Sequence, residues 1–298
     1  MISFNDLSYR YGTNNLALES ITADIPEGIY LLLGENGAGK TTLLHLVAGL
    51  LKAIPERACT LDGAPTALRE PSVLSRTFFY SDEIPFPYRT IRQMVKHHAV
   101  FYPSFDAEML EQNLADFEMT GNEPIDQFSL GNREKAQLAY VLALHTDVLL
   151  LDEPANGLDI ESKMALLRMI AGKCDDEHTV LVATHTISDM ETLYDGLIVM
   201  QANHIRLTAM TEEIAERFAF VRTLSKVDDS LYSEWRGGKM CSILPVDMAD
   251  ELGLESGPVD FAVLYGALHS PAAPEVIRYM TAPGRSDYKP FSNGVDYE

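Results

Sequence analysis

One glycine-rich segment constrains this chain more than any other feature of its sequence. Residues 34–41 read Gly-Glu-Asn-Gly-Ala-Gly-Lys-Thr; the apolar run 29–33 precedes them, and apolar residues at helical spacing follow from Thr41 to Leu51. The glycines let the backbone curl through conformations that other residues avoid. The segment therefore predicts a buried strand, a tight loop and a helix in direct succession, as found in parallel α/β sheets.

The residue types in this loop predict that it binds the phosphates of a nucleotide. A tightly curled glycine loop points backbone N–H groups at phosphate oxygens, and the N-terminus of the following helix adds a partial positive charge. Lys40 can reach the β- and γ-phosphates, and the Thr41 hydroxyl can bind Mg²⁺. We therefore expect contacts to ATP throughout the loop, from Gly34, Glu35, Asn36, Gly37, Ala38, Gly39, Lys40, Thr41 and Thr42.

A pair of carboxylates follows another apolar run, at residues 148–151. Ligands of parallel α/β sheets collect at the carboxyl ends of the strands. Asp152 is expected there to hold Mg²⁺ through water, and Glu153 to orient and deprotonate an attacking water. Alone, the pair could simply cap a strand, but beside a complete phosphate loop we favour the catalytic interpretation.

The remaining pattern predicts two domains. Alternating segments at 2–11 and 18–25 predict strands, 91–144 is mostly helical, 179–183 is another buried strand, and 197–207 predicts a closing hairpin. We expect an α/β fold: a mainly parallel sheet in domain 1–208, with an antiparallel β subdomain and a helical subdomain at about 82–145. Residues 209–298 are expected to form a small α+β extension with a loose tail.

Composition limits the partners. Among 298 residues the formal net charge is −21, which disfavours a broad nucleic-acid surface. The N-terminus shows no signal peptide, and no apolar run reaches the length of a membrane span. Cys59, Cys174 and Cys241 lack metal-ligand spacing, which favours reduced, packed thiols.

An ordered set of motifs carries a family resemblance. Besides the phosphate loop, which matches Walker A, the set comprises Tyr11, Phe128-Ser129-Leu130-Gly131-Asn132, Leu149-Leu150-Leu151-Asp152-Glu153-Pro154, Gly157-Leu158-Asp159 and His185. In this order they resemble the adenine-stacking aromatic residue, signature, Walker B, D-loop and switch histidine of ABC transporter ATP-binding subunits. The resemblance covers residues 1–208 and implies a P-loop NTPase fold of the RecA-like type.

The resemblance also implies how the site is completed. ATP would be bound in a head-to-tail dimer, homodimer or heterodimer, in which Ser129 and Gly131 of one subunit face the phosphate loop of the other. Lys40, Glu153 and His185 would be the catalytic residues, with His185 contacting the γ-phosphate. Tyr11 could instead be an ordinary strand aromatic residue, and His185 an ordinary histidine at a strand end.

Two departures from the family pattern are evident. Leu130 stands where the signature has a glycine, and a leucine there should limit close approach and positive φ angles. We expect weaker dimer closure, or closure in a variant geometry, and Leu130→Gly is expected to tighten the dimer. The family's Q-loop glutamine is missing, and the register places Asp82 or Glu83 there, with Asp82 as a candidate Mg²⁺ ligand. Phe86 and Tyr88 are expected either to contact a membrane subunit or to pack within their own subdomain.

The leading hypothesis is an ATP-hydrolysing subunit on the cytoplasmic face of the membrane that drives a separate transmembrane permease. The signature and the C-terminal extension resemble bacterial exporters of the ABC-2 type, which export drugs, antimicrobial peptides or lipid-like molecules. The alternative is a soluble ABC-type ATPase acting on ribosomes or nucleic acid. A third hypothesis, a catalytically weak partner in a heterodimer, is disfavoured by the presence of Lys40, Glu153 and His185.

Overall fold

The computed structural model describes residues 1–13, 15–81, 86–173, 177–185 and 193–281. The strands are β1 Ile2–Tyr11, β2 Asn15–Ile25, β3 Gly28–Gly34, β4 Cys59–Leu61, β5 Ala64–Pro65, β6 Thr77–Ser81, β7 Val148–Asp152, β8 Thr179–Ala183, β9 Gly196–Gln201, β10 His204–Met210, β11 Phe218–Thr223, β12 Tyr232–Arg236 and β13 Lys239–Pro245. The helices are α1 Lys40–Val47, α2 Pro71–Leu74, α3 Ile91–His98, α4 Ala107–Asp116, α5 Leu130–Ala143, α6 Ile160–Lys173, α7 Thr211–Arg217, α8 Val246–Glu251, α9 Phe261–Leu268 and α10 Ala273–Thr281.

A six-stranded sheet forms the centre of the protein. Its strand order is β10-β9-β3-β8-β7-β6, and every neighbouring pair is parallel except β9 and β10. Strand β3 is buried on both faces because its side chains alternate between two apolar cores: Leu31 and Leu33 enter one, Tyr30 and Leu32 the other. The predicted α/β class with a mainly parallel sheet is confirmed.

The sheet edge and the hairpin differ in how well the sequence predicted them. Edge strand β6 was missed, since five residues before a proline-rich loop show no clear period. The hairpin of β9 and β10 follows the prediction, with Ala202 and Asn203 at its turn and φ angles of 48° and 69°. Such left-handed angles are those that a two-residue hairpin turn requires.

Three further units surround the central sheet. An antiparallel sheet of order β2-β1-β4-β5 and helix α1 pack on one face, as expected for an antiparallel β subdomain. Helices α3 to α6 share the core of the other face. No helix in the described ranges is long and apolar enough to cross a membrane.

The C-terminal extension continues the second core. Its antiparallel sheet has the order β11-β13-β12, and the ring of Phe261 on α9 lies 6.2 Å from that of Tyr194. Phe261 and Leu264 are fully buried in the same cluster as Leu197 and Val199 of β9. Residues 209–281 thus cover part of the central sheet, while the tail predicted from 284 onward lies outside the described residues.

Candidate active site

The phosphate loop joins β3 to α1, and two of its glycines are sterically required. Gly39 precedes the helix with φ 102°, and a Cβ built on it would lie 2.5 Å from the Ala17 carbonyl oxygen. A Cβ on Gly34 would lie 2.6 Å from the Met200 carbonyl oxygen. These contacts fix the loop against β2 and β9, so its curled shape is set by the surrounding strands as well as by its own sequence.

Lys40 spans this loop. Its side chain is buried, and Nζ donates to the carbonyl oxygens of Gly34, at 2.6 Å, and Glu35, at 3.2 Å. Burial lowers the pKa of Lys40, while the nearby carboxylates of Glu153 and Asp152 raise it. The ammonium group is therefore held at the phosphate loop, next to the acidic pair. There it can attract the negative charge of a bound phosphate.

The residues predicted to bind Mg²⁺ meet at the same edge of the sheet. Thr41 Oγ1 donates to Asp152 Oδ2 at 2.6 Å. Burial raises the pKa of Asp152, and its hydrogen bond with Thr41 lowers it. A hydroxyl and a carboxylate are the oxygen ligands that Mg²⁺ takes beside phosphates, so this pair fits the ion. Asp82, the third candidate ligand, lies outside the described residues.

The structure brings Glu153 and His185 together. Glu153 follows β7 with a left-handed φ of 52°, and its N–H donates to the Ala183 carbonyl oxygen at 2.8 Å. His185 Nδ1 lies 2.8 Å from Glu153 Oε1, and Thr184 Oγ1 donates to Oε2 at 3.0 Å. The carboxylate is thus oriented from both sides by residues that follow β8. Sequence reasoning missed Thr184, for which only its place beside His185 gave a signal.

Tyr11 lies over the start of α1. Its side chain is exposed, and its hydroxyl is 3.3 Å from Thr42 Oγ1, directly after the phosphate loop. The Tyr9 ring supports it edge-on at a centroid distance of 5.1 Å. Because the ring is exposed beside the phosphate loop, it fits stacking on adenine better than the role of an ordinary strand aromatic residue.

The signature residues form the N-terminus of α5. Ser129 caps the helix, accepting a hydrogen bond from the Asn132 N–H at 3.3 Å. A Cβ on Gly131 would lie 3.5 Å from the Gly157 carbonyl oxygen, so the signature lies against the D-loop of its own chain. Within the described part of the chain, no hydrogen bond joins Ser129 to the phosphate loop.

The expected effect of Leu130 on dimer closure stays a prediction. Leu130 is the first residue of α5 and has no left-handed φ angle. Its side chain is 61% exposed. It therefore projects from the surface instead of blocking the backbone.

Two neighbouring side chains share this exposure. Ile160, which follows the D-loop, is 83% exposed, and Met164 one turn later is 51% exposed. The other methionine of α6, Met169, is buried. Lys135 on α5 pairs with Asp159 at 3.4 Å, which places the exposed start of α6 beside the signature.

Phe86 and Tyr88 pack within the helical subdomain, one of the two expected outcomes. The Phe86 ring lies edge-on to Tyr140 at 5.9 Å, and Tyr88 stacks on His97 at 5.5 Å. Both aromatic residues are half-buried against the core. Among the described residues, no group of three His, Cys, Asp or Glu side chains is arranged to hold a metal ion.

Comparison with known proteins agrees with this geometry. Residues 18–156 match the family model described as ABC transporter. A putative ABC transporter ATP-binding protein of Nostoc sp. is 30% identical over 225 residues, which is 72% of this chain and 82% of that protein. The sulfate/thiosulfate import ATP-binding protein CysA of Synechocystis sp. is also 30% identical, over 72% of this chain and 62% of CysA.

Solved structures share the fold. A dimeric ATP-binding cassette in a post-hydrolysis state, bound to ADP and Pi, superposes with a TM-score of 0.59 at 20% identity, covering 70% of this chain and 98% of that one. A putative cobalt transport ATP-binding protein gives a TM-score of 0.60 at 21% identity and covers 93% of this chain and all of its own. This chain belongs to the ATP-binding subunits of ABC transporters, and it is an ATPase that uses ATP with Mg²⁺.

Proposed function

We propose that this protein dimerises on binding ATP, hydrolyses it between the two subunits and drives a separate membrane permease that exports a substrate. The observation that carries the proposal is the convergence of three chain segments at the carboxyl edge of one sheet. The phosphate loop follows β3, Asp152 ends β7 with Glu153 directly after it, and His185 follows β8. These strands are adjacent in the order β3-β8-β7.

Each of these residues has a chemical role that its contacts support. Lys40 and the loop N–H groups hold the phosphates, and Mg²⁺ bound through Thr41 and Asp152 would neutralise their charge. Glu153 accepts the proton of the attacking water. Thr184 and His185 hold the Glu153 carboxylate by hydrogen bonds, which fixes the direction of that proton transfer.

The second half of each site comes from the partner subunit. Ser129 and the N-terminus of α5 form a helix end that can bind an anion. Among the described residues, no hydrogen bond joins Ser129 to the phosphate loop of its own chain. Leu130, Ile160 and Met164 leave apolar side chains exposed beside it. Burial of this patch in a head-to-tail dimer would stabilise the closed state.

The permease is proposed to dock on the helical subdomain at a different place from Phe86 and Tyr88. Val100 and Phe101, just after α3, are 70% and 66% exposed. Two adjacent exposed apolar side chains of this size suit a protein contact better than solvent.

Export as the direction of transport rests on the Ser-Leu-Gly-Asn signature and on the C-terminal extension, both resembling ABC-2 exporters. In this assignment the subunit lies at the cytoplasmic face of the membrane, held by the permease. The nucleic-acid alternative is disfavoured by the net charge of −21, which repels phosphate backbones. The proposed chemistry of the site is the same whether the two subunits form a homodimer or a heterodimer.

The sharpest single test is Glu153→Gln, with Glu108→Gln on the exposed face of α4 as the matched control. Glu153→Gln should keep ATP binding, abolish turnover and yield a stable dimer by light scattering when ATP and Mg²⁺ are present. Glu108→Gln should behave as the wild type. Continued hydrolysis by Glu153→Gln would contradict the assignment of the base.

A further inference from the structure

A cavity of about 500 Å³ lies between the β9–β10 hairpin and the C-terminal helices, away from the residues assigned to hydrolysis. Leu268, Ala273, Pro274 and Ile277 form its apolar wall, and Gln201, Arg206, Arg278 and Thr281 supply its polar groups. A volume of this size, with an apolar lining and a few convergent polar groups, is typical of a small-molecule site.

The charge of this cavity is opposite to that of the chain. Its described lining has two arginines and no acidic residue, in a protein with 44 acidic and 23 basic side chains. Arg278 is partly balanced by Glu275 at 3.4 Å, an exposed pair that contributes little. The lining therefore favours an anionic group.

Arg206 is placed in the cavity by a backbone irregularity. Ile205 pairs with Met200 and Leu207 with Val199, so Arg206 is an extra residue, a β-bulge in β10. Bulges re-aim side chains and recur next to functional sites. Arg206 Nε is buried, and no acceptor for it exists among the described residues. A buried guanidinium N–H without an acceptor is costly, and a bound anion would supply one.

We infer that this cavity binds a small anionic amphiphile, a carboxylate or phosphate group on an apolar body. The anionic group would accept from Arg206 Nε, with Arg278 adding charge. The apolar body would pack on Leu268 and Ile277. Neither a simple inorganic anion nor a neutral apolar molecule would satisfy both parts of the lining.

The cavity is joined to the nucleotide site through one residue. Gln201 lines the cavity, and its neighbour Met200 contacts the phosphate loop: a Cβ built on Gly34 would lie 2.6 Å from the Met200 carbonyl oxygen, and one on Gly39 3.2 Å from its methyl group. On α9, which ends in the cavity wall, burial raises the pKa of Tyr265, and the Glu35 carboxylate of the phosphate loop raises it further. Ligand binding should therefore change the affinity for ATP.

Decanoate is a suitable probe, used below its critical micelle concentration with full-length protein and calorimetric detection. Decanoate should bind saturably at one site, whereas decanol, which lacks the charge, and acetate, which lacks the apolar body, should bind at least about tenfold more weakly. Absence of saturable decanoate binding, or equal binding of decanol, would overturn the site.

Arg206→Gln should weaken decanoate binding about tenfold or more, whereas Arg57→Gln, which removes the same charge from an exposed position outside the cavity, should leave it unchanged. Arg278→Gln provides the same comparison if Arg206→Gln fails to fold. Equal affinity of the cavity variant and the wild type would contradict the role of the arginines.

Linkage to the nucleotide is measured by titrating ATP with and without saturating decanoate. A change in ATP affinity of about fivefold or more is expected, with the same change in decanoate affinity when ATP is saturating. Identical ATP affinities would overturn the linkage. Decanoate binding is measured without nucleotide, so its result is distinguishable from any failure of the proposed ATPase function.

Discussion

At the scale of single residues, Gly37 and Gly39 show two different reasons why the phosphate loop contains glycine. Both have left-handed φ angles, 85° and 102°. A Cβ on Gly37 would meet nothing within 4 Å, whereas one on Gly39 would meet the Ala17 carbonyl oxygen at 2.5 Å and Leu18 at 2.6 Å. Only Gly39 is restricted by its neighbours as well as by its own backbone.

Gly37→Ala should therefore cost about 1–2 kcal/mol of backbone strain. Gly39→Ala should cost about 1–3 kcal/mol more, because strand β2 must shift. Urea unfolding and ATP titration of both variants measure the difference. Equal losses of unfolding free energy would show that contact with β2 does not fix the loop.

Lys40→Ala removes the buried ammonium group at the loop. ATP binding should weaken about 10–100-fold, since hydrogen bonds to charged groups contribute about 1.5–3 kcal/mol. Lys96→Ala, at an exposed position on α3, is the matched control. Unchanged ATP affinity in a folded Lys40→Ala protein would refute its role in binding phosphate.

Much of the site was predictable at this scale, because motif spacing encodes it. Thr41 and Asp152 were both expected at the Mg²⁺ site, and the structure places them in hydrogen-bond contact. The contact of His185 with Glu153 was not predicted, since His185 was expected to contact the γ-phosphate. The bond from Thr184 to Glu153 could not be predicted, since threonine at a strand end has no distinctive pattern. The role of Asp82 stays a prediction.

At the scale of elements, Leu130 links α5 to the proposed dimer. Because its backbone is helical, Leu130→Gly relieves no strain from a positive φ angle. We now expect a weaker dimer, because the variant loses apolar surface at the interface and weakens the first turn of α5.

The ATP-dependent dimer of Leu130→Gly should dissociate several-fold more readily, by about 1 kcal/mol. Leu130→Ala separates the two causes, since it keeps helix propensity and loses only apolar area. Sedimentation of both variants in the Glu153→Gln background gives the dissociation constants. A tighter Leu130→Gly dimer would restore the original steric explanation.

The contact between β3 and β9 offers a test of packing. A Cβ on Gly196 would lie 2.5 Å from a ring carbon of Tyr30, which is fully buried. Gly196→Ala should lower the free energy of unfolding by about 1–3 kcal/mol. Gly172→Ala, in open space on α6, should raise it by about 0.5–1 kcal/mol.

Chemical denaturation of the two variants measures both the expected decrease and the expected increase in the free energy of unfolding. An unchanged free energy of unfolding for Gly196→Ala would mean that Tyr30 can rearrange.

Strands of continuous apolar sequence, such as β3, β7 and β8, were predictable from their pattern. Edge strand β6 was not, because pairing with β7 defines it.

At the scale of the whole molecule, one apolar core joins the central sheet to the C-terminal extension. The boundary at 208 remains a prediction, and β10 runs past it to Met210. Sequence pattern could not predict this continuity, because the packing of α9 against β9 depends on residues more than sixty positions apart. The shared core gives the extension a direct connection to the nucleotide site.

In the proposed dimer, each hydrolytic site combines the phosphate loop of one subunit with the signature of the other. Lys40→Ala and Ser129→Ala each disable both sites of a homodimer. In a mixed dimer, the intact loop of the Ser129→Ala subunit would face the intact Ser129 of the Lys40→Ala subunit.

Mixing the two inactive variants in equal amounts and measuring ATP hydrolysis distinguishes a site shared between subunits from a site within one subunit. The composite site predicts that the mixture recovers up to about a quarter of wild-type turnover, because half of the dimers would contain one intact site. No recovery in mixtures that form dimers would contradict it.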